Sequence, residues 1–257
     1  MAHNPAVPPL TKKTRELPAL LATLCHLCFP PRCLLCQTPL SQANPRLCQP
    51  CRLKLPLLQH PICPTCGTTF PNCGSSEDHL CGPCHKKPGP LRLRRSVFAY
   101  DAGVAQLIHD LKFGGRFYGL GTMADLARHS ELLRDLSEPD LIIPVPLHPS
   151  RLKERGFNQA ALLARALFPS RRAKIALRLL KRQQATVPQS RLSGRERRRN
   201  LGHAFTVTNS GRLRDKAILL VDDVTTSGTT LNECAKTLLA AGAARVEGVT
   251  LAMALKK

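Results

Sequence analysis

The sequence predicts an α/β fold, a mostly parallel sheet with flanking helices, preceded by a small cysteine-rich module. Three observations predict it. From residue 94 onward, short apolar runs alternate with segments of helical periodicity, the pattern of parallel strands joined by helical crossovers. Sixteen of the 22 prolines and eleven of the 12 cysteines fall in the first 90 residues, which excludes long helices and continuous strands there. The 257 residues suffice for one or two domains with a real core, and the texture changes near Lys87–Leu93.

The elements follow in order. Lys12, Lys13 and Arg15 precede an apolar stretch, 17–29, that is shorter than the ~20 residues of a bilayer span. No small-x-small cleavage pattern follows it. It reads as a short amphipathic helix in an N-terminal extension (1–28) of a cytoplasmic protein without a membrane span. After the cysteine-rich part, 94–100 alternates like a strand. Val104, Leu107, Ile108 and Leu111 mark one helical face, and Leu120, Met123, Ala124 and Ala127 another. LIIPVP (141–146) is too short for a helix and rich in β-branched residues. A helix is expected over Asn158–Phe168, a buried strand over 217–224, a helix over Thr229–Ala241 and a last strand over Ala244–Met253.

The cysteines are spaced for metal. Cys33-x2-Cys36 is followed by Cys48-x2-Cys51, and Cys63-x2-Cys66 by Cys81-x2-Cys84. Each knuckle brings two thiolates from one tight turn, and the intervening loop returns the second pair, which is what a tetrahedral all-thiolate Zn2+ site needs. A disulfide framework is the rival, but adjacent CxxC pairs suit long-range cross-links poorly. Two structural Zn2+ ions are therefore expected. Cys25, Cys28 and Cys73 read as small apolar residues.

Charge is concentrated. Lys+Arg number 38 against 17 Asp+Glu, a net +21. Residues 151–214 alone hold 17 basic and 2 acidic side chains, +15, whereas 91–150 and 215–257 are neutral. A solvated surface would interleave its acids, so an anion is expected to approach 151–214. Eight Phe, two Tyr and no Trp argue against a surface that binds single strands mainly by stacking bases on rings.

The sharpest signal is the run Asp222-Asp223-Val224-Thr225-Thr226-Ser227-Gly228-Thr229-Thr230, between an apolar strand and a helix. Backbone N–H groups at a helix start favour an anion. Thr226, Ser227 and Thr230 add hydroxyl donors, and Gly228 permits close backbone approach. Two carboxylates beside such a cup would repel a bare phosphate but accept hydrogen bonds from a neighbouring diol. A ribose 5-phosphate meets both conditions. The other use of these residues is helix capping, with the acids complementing the dipole, although one or two of them would suffice for that. Neither a Walker A loop nor GxGxxG is present.

This run resembles the PRPP-binding loop of type I phosphoribosyltransferases, in which the two acids hold the ribose hydroxyls and the loop holds the 5-phosphate. Together with PVPLHPSRLKERGFNQA (144–160), QSRLSGRERRRN (189–200) and the cysteine pairs, the chain resembles the ComF/GntX family of competence-associated, phosphoribosyltransferase-like proteins with a double zinc ribbon. The resemblance implies a double zinc ribbon over 29–90 and a phosphoribosyltransferase-like domain over 91–257. Asp222 and Asp223 then carry the catalytic role and 224–230 bind PRPP with Mg2+. Arg151, Lys153, Arg155, Gly156 and Asn158, in the turn after strand 141–146, are expected at pyrophosphate. So are Arg191, Arg195 and Arg198, in a loop that closes over the ligand. Three functions follow as alternatives: a phosphoribosyltransferase with an unidentified acceptor, a non-catalytic PRPP-sensing module, and a DNA-associated competence factor whose +15 segment meets single- or double-stranded DNA and the competence machinery.

Overall fold

The computed structural model describes residues 30–41, 46–70, 77–113, 118–183 and 204–255. The expected helix at 17–29, Cys25, Cys28, Cys73 and the arginine-rich segment 189–200 lie outside them. The chain divides into two compact units, Met1–Leu53 and Lys54–Lys257. The first holds the first cysteine quartet and a short helix, Gln49–Leu53. The second holds the other quartet, with its short helix Gly82–Lys86, and the whole sheet.

Among the described residues the sheet has four strands: β1 (Arg94–Ala99), β2 (Leu141–Pro144), β5 (Ala217–Thr225) and β6 (Arg245–Met253). Their order is β1-β6-β5-β2 and every pairing is parallel. Between β2 and β5 the chain adds a small antiparallel hairpin, β3 (Leu180–Arg182) with β4 (Phe205–Val207). The helices are α1 (Ala102–Phe113), α2 (Tyr118–Arg128), α3 (Pro149–Arg155), α4 (Gln159–Leu167) and α5 (Thr229–Ala240).

Both faces of the sheet are covered, which is why β5 opens on an unbroken apolar run, Ala217–Val221, rather than an alternation. Ile218 and Leu220 share a buried cluster with Leu231, Cys234 and Leu238 of α5. Leu219 and Val221, pointing the other way, are equally buried, on the side where α4 packs against β2 and β5. Burying one such leucine or isoleucine contributes about 1.5–3 kcal/mol.

The open edge of β1 is closed by the segment that precedes it. Leu58 N–H donates to Val97 O at 2.8 Å, Ala99 N–H to Pro56 O at 2.8 Å and Arg94 N–H to Thr65 O at 2.8 Å. The second cysteine module thereby covers a strand edge that would otherwise offer unpaired backbone groups.

Two elements differ from the sequence reading. Residues expected in a turn after β2 form helix α3, with Pro149 at its start and Gly156 closing it at φ 77°. His148 Nδ1 caps it by accepting from Ser150 N–H at 3.2 Å. Proline pre-set for the first turn and glycine free to turn left-handed at the end account for seven residues of helix in a polar segment. The β3–β4 hairpin was not expected, and each of its strands is only three residues long.

Candidate functional site

Because all four strands run the same way, their carboxyl ends share one edge, where α/β folds place ligands. Two neighbours deliver chemistry there. β5 ends in Asp222, Asp223, Val224 and Thr225, and turns through Thr226, Ser227 and Gly228 into α5. β2 runs through Val145 into α3, which carries Arg151, Lys153 and Arg155.

The two ends are held in register by a short relay. Asn158, the N-cap of α4, accepts from Ala160 N–H at 3.0 Å and donates Nδ2–H to Val145 O at 3.0 Å. Val145 N–H in turn donates to Val221 O at 2.8 Å, immediately before the acid pair. Both ends of the Asn158 amide are thus engaged within the chain.

Each carboxylate of the pair accepts from the next backbone amide. Asp223 N–H donates to Asp222 Oδ1 at 2.9 Å and Val224 N–H to Asp223 Oδ1 at 2.8 Å. Both side chains are partly exposed. At the helix start, the N-cap is Gly228, at φ 75°. A glycine has no side chain to offer the first-turn amides, so the capping use of this run is not the one adopted at its N-cap. Ser227 and Thr229 share a hydroxyl–hydroxyl hydrogen bond of 2.6 Å. The arrangement is a carboxylate edge beside an uncapped helix start lined with hydroxyls.

Two arginines that the sequence reading left unassigned belong to this edge. Arg182, the last residue of β3, lies with its guanidinium 5.6 Å from the Phe205 ring centroid. Burial holds it below the usual arginine range, while Cys234 and Asp222 pull upward and Arg151 pushes down. It therefore lies within electrostatic reach of both Asp222 and Arg151. Arg94, at the start of β1, is 6% exposed. Its Nη1 approaches Thr225 Oγ1 at 3.5 Å and lies against Gly228. The available signal was two adjacent arginines opening a strand otherwise buried on both faces. Arg191, Arg195 and Arg198 lie outside the described residues.

The cysteines assemble as their spacing predicts. Cys33, Cys36, Cys48 and Cys51 form one group, and Cys63, Cys66, Cys81 and Cys84 another, with the four sulfurs of each within 4.8 Å of one another. None forms a disulfide. The Cys36–Cys48 and Cys66–Cys81 sulfurs are 3.5 and 3.6 Å apart. A tetrahedral ion with Zn–S bonds of ~2.3 Å separates its sulfurs by about 3.8 Å, so both quartets fit Zn2+.

Local dipoles prepare the thiolates. The hydroxyl and backbone of Thr38 pull Cys36 down to about 6, with Cys36 Sγ 3.2 Å from Thr38 Oγ1. Burial opposes ionisation of Cys63, but backbone N–H groups from Cys66, Cys81 and Thr65 outweigh it and bring it to about 7. Burial drives Cys51 up to about 12 and Cys84 well up, as expected where four sulfurs crowd without a cation. Among the described residues, no helix is long and apolar enough to cross a membrane.

Comparison with known proteins agrees with this architecture. Residues 24–85 match the double zinc ribbon domain, and residues 152–257 the phosphoribosyl transferase domain. The chain is 36% identical over 217 residues to the DNA utilization protein YhgH of Escherichia coli strain K12, covering 79% of this chain and 95% of that one. It is 32% identical over 231 residues to competence protein F of Haemophilus influenzae (87% and 97%). With competence protein ComFC of Bacillus subtilis it shares 31% over 243 residues (85% and 93%). A zinc-ribbon module joined to a phosphoribosyltransferase-type sheet, matched over nearly the whole of these relatives, makes this chain a member of the ComF family, with YhgH and ComFC.

Proposed function

We propose that the carboxyl edge of the sheet binds PRPP and transfers its phosphoribosyl group. The observation that carries this reading is the junction of β5 and α5, where two partly exposed carboxylates stand next to a helix start whose N-cap is a glycine. In this reading Asp222 and Asp223 accept the ribose hydroxyls on their remaining lone pairs. Thr226, Ser227, Thr229 and Thr230, with the amides after Val224 and around Gly228, hold the 5-phosphate. Arg151, Lys153 and Arg155 of α3 face the pyrophosphate, with Gly156 closing that helix and Asn158 opening the next beside it, and Arg191, Arg195 and Arg198 meet it from the segment 189–200. Guanidinium suits that task because it is planar and permanently charged.

Mg2+ would come with PRPP beside the Asp222–Asp223 edge and would supply positive charge toward the departing pyrophosphate. The C1–O bond breaks, pyrophosphate leaves with the bonding pair, and an acceptor nitrogen forms the new C1–N bond and gives up its proton. The arginines contribute by meeting the charge that builds on the leaving oxygens. Calorimetric titration with the magnesium salt of PRPP, followed by pyrophosphate release against a library of nitrogen nucleophiles, tests the reading. Absence of heat removes the site; heat without release under any acceptor leaves a PRPP-sensing module.

A second reading is favoured by the +15 charge of residues 151–214. The relatives are named for DNA utilization and competence, and we take this segment as a surface for DNA phosphates in a cytoplasmic protein. The two readings share residues, so both can hold.

A further inference from the structure

The second cysteine quartet and the phosphate loop meet at one residue. Arg94 donates its backbone N–H to Thr65 O at 2.8 Å and its Nε–H to Cys66 O at 3.1 Å, both inside the Cys63–Cys66 knuckle. Arg95 adds Nη1–H to Pro64 O at 2.9 Å and is anchored to Asp135 by an ion pair of 2.7 Å. The other end of the Arg94 guanidinium reaches the loop at Thr225 and Gly228.

Two glycines at positive φ abut this residue, Gly67 against its backbone and Gly228 against its guanidinium. A Cβ on Gly67 would lie 2.6 Å from Arg94 O, and a Cβ on Gly228 would lie 1.7 Å from Arg94 Nη1. Neither loop could carry a side chain there with Arg94 in place.

A buried guanidinium needs a counter-charge. Among the described residues no carboxylate pairs with Arg94; burial lowers it, and the sulfurs of Cys66, Cys84, Cys63 and Cys81 oppose that only in part. On its far side lies the start of α5, where the loop reading places a phosphate. The arginine is thus shared between an anionic metal site and an anion cup, and its direction is fixed by the knuckle carbonyl of Cys66.

We propose that Arg94 is a positioning residue for the phosphate loop and couples occupancy of the Cys63–Cys84 metal site to the grip of that loop on a phosphate monoester. The proposal rests on the reading of residues 222–230 as a sugar-phosphate cup. The metal holds the knuckle, the knuckle aims Arg94, and Arg94 holds Thr225 and Gly228 in the shape that presents the first amides of α5. Coupling between two sites is reciprocal, so ligand in the loop also tightens metal at this quartet while leaving the first quartet alone.

The test uses the zinc-loaded full chain with ribose 5-phosphate and magnesium PRPP as probes, alongside Arg94→Met and Arg94→Lys. Arg94→Met is expected to keep both metal ions yet bind either probe roughly 10- to 100-fold more weakly, the worth of one charged hydrogen-bonding group. Arg94→Lys restores part of that. In the wild type, saturating ribose 5-phosphate slows removal of one of the two zinc ions by a chelator and does not affect the other; in Arg94→Met this protection disappears.

Unchanged probe affinity in Arg94→Met, or zinc removal indifferent to probe in a wild type that binds it, overturns the coupling and leaves the loop assignment standing. A wild type that binds neither probe overturns both. Should Arg94→Met fail to fold, the wild-type chelator experiment decides alone.

Discussion

Gly228 stands where Arg94 leaves room for no side chain: an added Cβ would be 1.7 Å from Nη1 of the arginine. The glycine is therefore fixed twice, by its φ of 75°, which side chains resist, and by a buried cation from a strand more than a hundred residues earlier in the chain. Gly228→Ala is expected to cost about 1–3 kcal/mol in backbone strain alone. Because Arg94 must also move, it should weaken PRPP binding beyond what the stability loss explains. Thermal unfolding alongside calorimetry checks this; an alanine variant with wild-type affinity would show that the loop tolerates displacement of Arg94.

The acid pair allows a cleaner separation of fold from function. Asp222 and Asp223 each accept a backbone N–H, and an asparagine carbonyl can accept the same bond. The double variant Asp222→Asn/Asp223→Asn should therefore fold and keep its zinc, with a stability change within about 1 kcal/mol. It loses two charge-assisted contacts to the ribose diol, and PRPP affinity should fall about 100-fold or more. Intact affinity would remove the diol contact from the proposed function.

Much of the fold was legible because its determinants are local. The run Ala217–Val221 is apolar on both faces and leads into the acid pair and turn residues, so strand β5 and the loop after it could be read directly. Spacing announced the cysteine knuckles, and the grouping of their sulfurs shows that they pair consecutively. Helix α3 was missed because Arg151, Lys153 and Arg155 give it no apolar stripe, although Pro149 and Gly156 marked its ends. The β3–β4 hairpin joins Leu180–Arg182 to Phe205–Val207, a pairing of three-residue strands across a long insertion that no local pattern announces. Arg94 and Arg182 were missed for another reason. A buried arginine is identified by what surrounds it in space, and Arg94 reaches Thr225 across 131 positions of sequence.

Metal uptake should reveal the prepared thiolates through protons. Cys36 ionises at about 6 and Cys63 at about 7 in the metal-free fold, while burial holds Cys51 up to about 12. At pH 8 each quartet already has one ionised sulfur, so Zn2+ should displace fewer than four protons per ion. As pH falls through about 7 and then about 6, those two thiolates protonate, the count rises toward four and affinity drops. The sign for stability is the same. Both groups are depressed below the ordinary thiol value, so what they contribute to the metal-free fold is present above that value and lost as pH falls through the depressed one. Titrations in buffers of different ionisation enthalpy count the protons; a constant four from pH 8 to pH 6 would contradict the assignment.

The basic segment sets the last expectation. Residues 151–214 carry +15, and Arg151, Lys153 and Arg155 of α3 are assigned above to pyrophosphate. If DNA phosphates use the same side chains, log affinity should fall with log salt at about 0.9 per phosphate neutralised. Saturating magnesium PRPP should then weaken DNA binding and flatten that slope, because arginines occupied by pyrophosphate no longer release counterions from DNA. Arg151→Gln/Arg155→Gln should weaken both ligands. DNA affinity unaffected by PRPP, with an unchanged slope, would assign DNA to other residues and leave the α3 arginines to the sugar phosphate alone.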